Sequence, residues 1–452
     1  MTNEAWAPYV PSVQMPWDLR RVVHLHRRAG FAATWKELQR DLKDGPGPSI
    51  DRLLDGKSRT DGMPKDFAAT ADYLVSSAAG DLGRLKAWWV YRMLFGSDPL
   101  GERLTLMWHN HFATSAAKVG PMVRRQNQIF REFARAPFGE LLTRVVRDPA
   151  LLLWLDAQAN RKGKPNENLA RELMELFTLG IGQYGEKDVK EAARALTGWT
   201  VVKDRLQEDP AQHDGGDKTI LGRTGSWKGD DLLRFLLDHP ATAERLAVRL
   251  CEWLMGEGAV AAGGIKALAA WLRRRNLEIG GAVETILRSK AFFSDANLGT
   301  RILGPVEYVV GAARALELFD PSPNTLILAE FCGNLGMDLF HPPNVGGWPG
   351  GRSWISTRST IGRYNFASAL LDGDSVGLPG AVDALGFARR HGRGDSVESI
   401  VIFFAELLLG AVPGRAWVER QLAALGPKEA VEPSRARRIA ALVLASPETQ
   451  LA

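Results

Sequence analysis

Cysteine is nearly absent from this 452-residue chain: Cys251 and Cys332 stand far apart, with no C-x-x-C. That excludes a disulfide scaffold and a cysteine-rich zinc site. Both thiols fall in apolar helical patterns, which predicts burial as small inert hydrophobes. Long apolar runs are missing too. The longest, Ile400–Val412, is broken by Glu406 and ended by Pro413. A bilayer span needs about 20 apolar residues, so no membrane span is expected. Charge of one sign is not concentrated either. Lys+Arg number 57 and Asp+Glu 52, a net +5, and clusters such as Arg27–Arg28 and Arg273–Arg275 are short. A phosphate-tracking surface shows a denser patch, so no nucleic-acid partner is expected.

The first residues, MTNEAWAPYVPSVQMPW, lack a basic start, an apolar stretch and a small-residue cleavage site. As written, the sequence predicts a cytoplasmic protein, exported only if a leader has been trimmed from it. No period of 20 to 50 residues repeats, which argues against a solenoid. Familiar catalytic signatures are absent as well: there is no G-x-x-x-x-G-K-[ST], no H-E-x-x-H and no G-x-S-x-G. Nor does a G-x-G-x-x-G follow a strand.

What is present is a globular composition, 45% hydrophobic and 24% charged. The pattern is helical nearly throughout and predicts a mainly α fold, a multi-helix array. Asp-Pro steps at Asp98–Pro99, Asp148–Pro149 and Asp320–Pro321 punctuate it, because Asp caps free N–H groups and Pro suits the first helical turn. Two short β-like pieces, Thr200–Lys203 and Lys218–Leu221, predict one small hairpin near 200–222. A main helical domain is expected over 1–371, then a linker at 372–380 and a C-terminal helical segment at 381–452.

Three segments concentrate polar chemistry. In Asn166–Gly180, Leu169, Leu173, Leu176 and Phe177 form one helix face, while Asn168, Glu172 and Glu175 share another stripe. Two carboxylates one turn apart can hold a divalent cation or divide acid and base roles. Alternatively Arg171 pairs with Glu167 and Glu175 as ordinary helix-surface contacts. In Arg103–Ser115, His109 and His111 point about 200° apart on a helix. His111 shares the face of Leu104, Met107 and Trp108, so it is either a hydrogen-bonded core residue or a ligand or base. In His213–Gly222, His213 beside Asp214 suits metal binding or proton relay, and Asp-Gly-Gly-Asp also suits a plain turn. A fourth segment, His341–Trp354, is rich in Gly and Pro and carries Asn344, Trp348, Arg352 and Trp354. Its glycines permit close backbone approach. Its tryptophans offer a platform for a sugar ring or, equally, fill gaps between helices. The chain holds 14 Trp against 6 Tyr.

Several blocks together resemble a large, uncharacterised bacterial family catalogued as domain of unknown function 1800. They include His24–Phe31, Met107–Ser115, Pro165–Gly180, Asp188–Trp199, His213–Gly222 and Pro343–Gly351. The resemblance implies a helical protein, often exported and often found beside a sulfatase-like companion. It implies no activity. It draws attention to His111, Asn166, Glu167, Asn168, Arg171, Glu172, Glu175, His213, Asp214, Asn344 and Trp348 without assigning roles.

Two functional expectations follow. In one, His111, Glu172 or Glu175, and His213 or Asp214 gather around one divalent metal, zinc, manganese or iron by ligand type. The metal activates water against a polysaccharide or other envelope polymer, and the loop around Trp348 walls the cleft. In the other, the polar blocks are a structural network. The loop His341–Trp354 then docks a partner such as the sulfatase-like companion.

Overall fold

Aspartates start helices where the sequence predicts at Asp98–Pro99 and Asp148–Pro149. Asp98 accepts the Gly101 N–H at 2.8 Å, and Asp148 caps Ala150, each with proline at the first helical position. Asp320–Pro321 differs: the next helix begins at Thr325, capped by Asn324. The computed structural model describes residues 4–59, 62–78, 80–373, 377–378, 380–426 and 430–452. The chain is mainly helical.

The elements that matter for the site are α1 (Leu19–Ala29), α2 (Leu82–Phe95), α3 (Pro99–His111) and α4 (Asn168–Glu172), which runs on as a π-helical turn (Leu173–Thr178). After them come α5 (Glu186–Ala195), α6 (Pro240–Leu254), α7 (Pro305–Ala315), α8 (Thr357–Asp372), α9 (Val397–Leu409) and α10 (Pro433–Ala445).

The expected hairpin between Thr200–Lys203 and Lys218–Leu221 does not form. Each strand turns back at once. β1 (Trp199–Val202) pairs with β2 (Arg205–Glu208), and β3 (Lys218–Ile220) with β4 (Arg223–Gly225), both antiparallel. The first turn holds Lys203 and Asp204 at φ 49° and 55°, a two-residue connection that matches strand twist. Lys-Asp is not the usual residue pair for such a turn, so the sequence pattern did not announce it. Local closure also fixes less chain than pairing across 15 residues of loop.

Two apolar cores divide the molecule, and α1 feeds both. Val22 and Val23 join the core built by α2, α7, α8, α9 and α10. Leu25 and Ala29 join the core built by α3, α4, α5 and α6. Helix α9 packs on α1, and α10 packs on α8 and α9. Residues past 380 therefore share a core with the N-terminal helices. Within 372–380, residues 374–376 and 379 lie outside the described residues. Among the described residues, no helix is long and apolar enough to cross a membrane.

Several charges buried inside this frame are paired. Glu37 meets Arg314 at 2.5 Å, and Glu102 accepts from Trp89, Arg92 and Arg131. Glu307 meets Arg103 and Arg301. Asp41 meets His26, Arg40 and Arg52. Removing one partner of such a pair strands a charge away from water, which is what makes the pairing obligatory.

Candidate functional site

The triplet His109-Asn110-His111 ends α3, and its members do three different things. The His111 ring lies among Trp108, Phe112, Phe138 and Phe177. Its Nε2 donates to the Phe177 carbonyl at 3.1 Å. A carbonyl only accepts, so that nitrogen carries the proton and offers no lone pair to a metal. Burial, with Arg249 and Arg245 nearby, pushes the imidazole well below its usual range and keeps it neutral. The π-helical turn explains the contact. It ends at Thr178, and the last carbonyls of a helix have no partner within it. His111 takes that of Phe177, and Arg245 takes that of Leu176 at 2.8 Å. His109 points the other way, against Trp89, Phe340 and Trp348.

The remaining expected ligands are dispersed among other tasks. Glu175 accepts from the Tyr184 hydroxyl at 2.8 Å. Arg171 pairs with Glu167 and Glu186 and not with Glu175. Glu172 is half-buried with no hydrogen bond or ion pair among the described residues. Burial, reinforced by Glu175, raises its carboxyl above the ordinary range. Asp214 is held by Arg194 at 2.7 Å and by the Gly216 N–H. The Arg194 hydrogen bond holds it down at about 2. His213 Nδ1 bonds the Thr197 carbonyl at 3.0 Å. Among the described residues, no group of three or more His, Cys, Asp or Glu side chains is placed to hold a metal ion. The expected gathering of His111, Glu172, His213 and Asp214 around one metal is therefore not formed. An arginine, a tyrosine and backbone carbonyls occupy much of their bonding capacity.

The Gly/Pro/Trp loop is clasped to α3. Asn110 Oδ1 accepts the Trp348 N–H at 2.7 Å, and its Nδ2 donates to the Trp348 carbonyl at 3.3 Å. Gly347 makes room for this: at φ +79°, a Cβ there would sit 2.2 Å from Asn110 Oδ1. Trp348 and Trp354 are only 4% and 8% exposed, so neither is the open platform the sequence suggested. Asn344 closes a turn onto the Gly346 N–H, His341 lies 3.3 Å from Asp338, and Arg352 is exposed.

Beneath this loop lies a small cleft of about 90 Å³ between α3, α6 and the start of α7. Asn110, Trp348 and Trp354 line it, with Arg249, Glu252, Trp253 and Glu257. Arg245, Arg249 and Glu252 stand at i, i+4 and i+7 of α6, one stripe of the helix. Arg245 faces the π-turn, and the other two reach the cleft. Neither Arg249 nor Glu252 makes a hydrogen bond or ion pair among the described residues, and Arg249 Nε is sealed without a partner. Burial raises the Glu252 carboxyl; Arg249 opposes that shift and Glu257 adds to it. The Trp253 ring lies under the guanidinium of Arg103 at 4.9 Å, and its Nε1 is also buried and unpartnered. At the back, Arg103 and Arg301 bring the Glu307 carboxyl, despite its burial, down to about 2. Sequence reasoning passed over Arg249, Glu252 and Glu257. The spacing on α6 was the available signal, the same arithmetic that singled out Asn168, Glu172 and Glu175.

A helical protein with a loop-roofed cleft is the class these features define. The chain matches the family described as "Protein of unknown function (DUF1800)" over residues 24–451 and belongs to it. The match runs through the C-terminal helices as well as the blocks that carry the resemblance. No curated protein and no solved structure matches the chain.

Proposed function

We propose that this protein is a hydrolase-like enzyme that takes a polysaccharide or comparable envelope polymer into the cleft beneath the Gly/Pro/Trp loop. One observation carries the reading: Arg249 and Glu252, of opposite sign, both reach the cleft half-buried and without a hydrogen bond or ion pair among the described residues. Partly desolvated charge is costly unless something bonds it. A polyhydroxylated chain supplies donors and acceptors to both signs at once. Calorimetric titration of the full chain with hexamers of chitin, cellulose and xylan tests binding. Saturable binding that Arg249→Met abolishes supports the reading; no binding to any of them counts against it. A divalent cation, zinc, manganese or iron, belongs to this proposal as a cofactor. Elemental analysis of the purified protein, with turnover measured before and after chelation, tests that part. Unchanged turnover would remove the cation.

A second reading has its own observation. Ile355, which follows Trp354 in the chain, and Ile361 and Tyr364 on α8 are exposed. Exposed apolar side chains of this kind favour docking of a protein partner, such as the sulfatase-like companion. Co-purification lost in Ile361→Asp supports it, and retention in that variant opposes it.

A further inference from the structure

Four sealed carboxylates meet a cation: Glu37 with Arg314, Glu102 with Arg131, Glu307 with Arg103 and Asp41 with Arg40; a fifth, Asp148, is held by its helix N-terminus. Glu252 has no ion pair among the described residues, although Arg249 lies one turn away on the same helix. Glu172 also lacks a partner but is not among the residues lining the cleft. Glu257 follows three residues after α6 ends, beyond Gly256 at φ +108°. Its carboxylate lies against the loop backbone at Gly351, where a Cβ would come within 2.7 Å of Oε1. The cleft thus holds one half-buried and one exposed carboxylate, both free of ion pairs among the described residues, with Trp253 beside them.

We propose that Glu252 and Glu257 are an acid–base pair for glycosidic bond hydrolysis, Glu252 delivering the proton and Glu257 receiving one. The step balances with water alone. The bond from the anomeric carbon to the bridging oxygen breaks, its electron pair stays on that oxygen, and the oxygen takes the Glu252 proton. Water oxygen bonds the anomeric carbon, and its proton passes to Glu257. Exchange with solvent resets both groups. Burial and the nearby Glu257 charge both favour the protonated form of Glu252. Two carboxyl groups set apart by environment are the requirement of this chemistry. The inference rests on the saccharide-binding reading above.

The test uses the full chain with the same hexamers and with their 2,4-dinitrophenyl glycosides, whose leaving group needs no proton. Wild type releases reducing ends from at least one hexamer. Glu252→Gln lowers that rate by about 100-fold or more, cleaves the dinitrophenyl glycoside at a near-normal rate and loses the alkaline limb of the pH profile. Glu257→Gln is slowed on both substrates. Melting curves matching wild type establish that both variants fold; Glu252→Asp serves as a second variant if Glu252→Gln does not. Normal hexamer turnover in Glu252→Gln overturns the assignment. Binding without release of reducing ends by wild type also overturns it and leaves the binding reading standing. No binding overturns both.

Discussion

At the scale of single residues, the molecule separates charges that hold it together from charges that do not. Arg249 illustrates the second kind. Replacing a partnerless, half-buried guanidinium with an apolar chain of similar length removes a desolvation penalty. Arg249→Met is therefore expected to gain about 1 kcal/mol of stability while losing ligand binding, the usual sign of a site maintained at the expense of stability. Urea unfolding checks it, and a loss of stability would place Arg249 in the structural network instead. His24, His109 and His111 illustrate groups held neutral. Burial lowers all three, His109 to about 3. Their folded values lie below the unfolded value of 6.5, so the unfolded chain protonates first. Stability is then full above pH 6.5 and falls as pH drops below it, by about 1.4 kcal/mol per pH unit for each such histidine. Urea midpoints between pH 7.5 and 5 measure this, and a flat profile would contradict the neutral, buried assignment.

At the scale of elements, the clasp between α3 and the Gly/Pro/Trp loop is the joint on which the cleft depends. Gly347→Ala combines positive φ with a direct clash against Asn110. Asn110→Ala leaves the buried Trp348 N–H unpaired, a cost of about 1–3 kcal/mol. Both variants are expected to speed hydrogen exchange at the loop while leaving α9 and α10 protected; unchanged exchange would show that the clasp does not hold the loop. The same elements show how far the sequence could be read. Helices announced themselves through caps and apolar spacing, as at Asp98 and along α6. The two hairpins were misread because Lys203–Asp204 makes its turn without the expected residues. His111 was read as a ligand or a core residue, and what decided the matter was a π-turn 66 residues away. The free carbonyl of Phe177 follows from the helix ending at Thr178, but no local pattern reveals that His111 reaches it. The cleft was half legible. Its roof stood out as a Gly/Pro/Trp loop, but Arg249 and Glu252 resemble any charged helix face until one knows that neither forms an ion pair among the described residues.

At the scale of the whole molecule, two cores meet through α1, and ion pairs buried at depth tie distant segments. Glu37 and Arg314 lie 277 residues apart in sequence and 2.5 Å apart in space. Arg314→Met strands the Glu37 carboxylate and is expected to cost about 3–5 kcal/mol, read as a lowered denaturation midpoint. Because α1 serves both cores, the chain is expected to melt in one transition by calorimetry; two resolved transitions would show that the cores fold independently. The central claim, that the loop-roofed cleft receives a saccharide chain through its unpaired charges, has a direct measurement. Calorimetric titration with the oligosaccharide hexamers compares wild type with Arg249→Met and with Glu172→Gln. Loss of binding in Arg249→Met with binding kept in Glu172→Gln is the predicted result. Binding that survives Arg249→Met, or that disappears only in Glu172→Gln, would contradict the account.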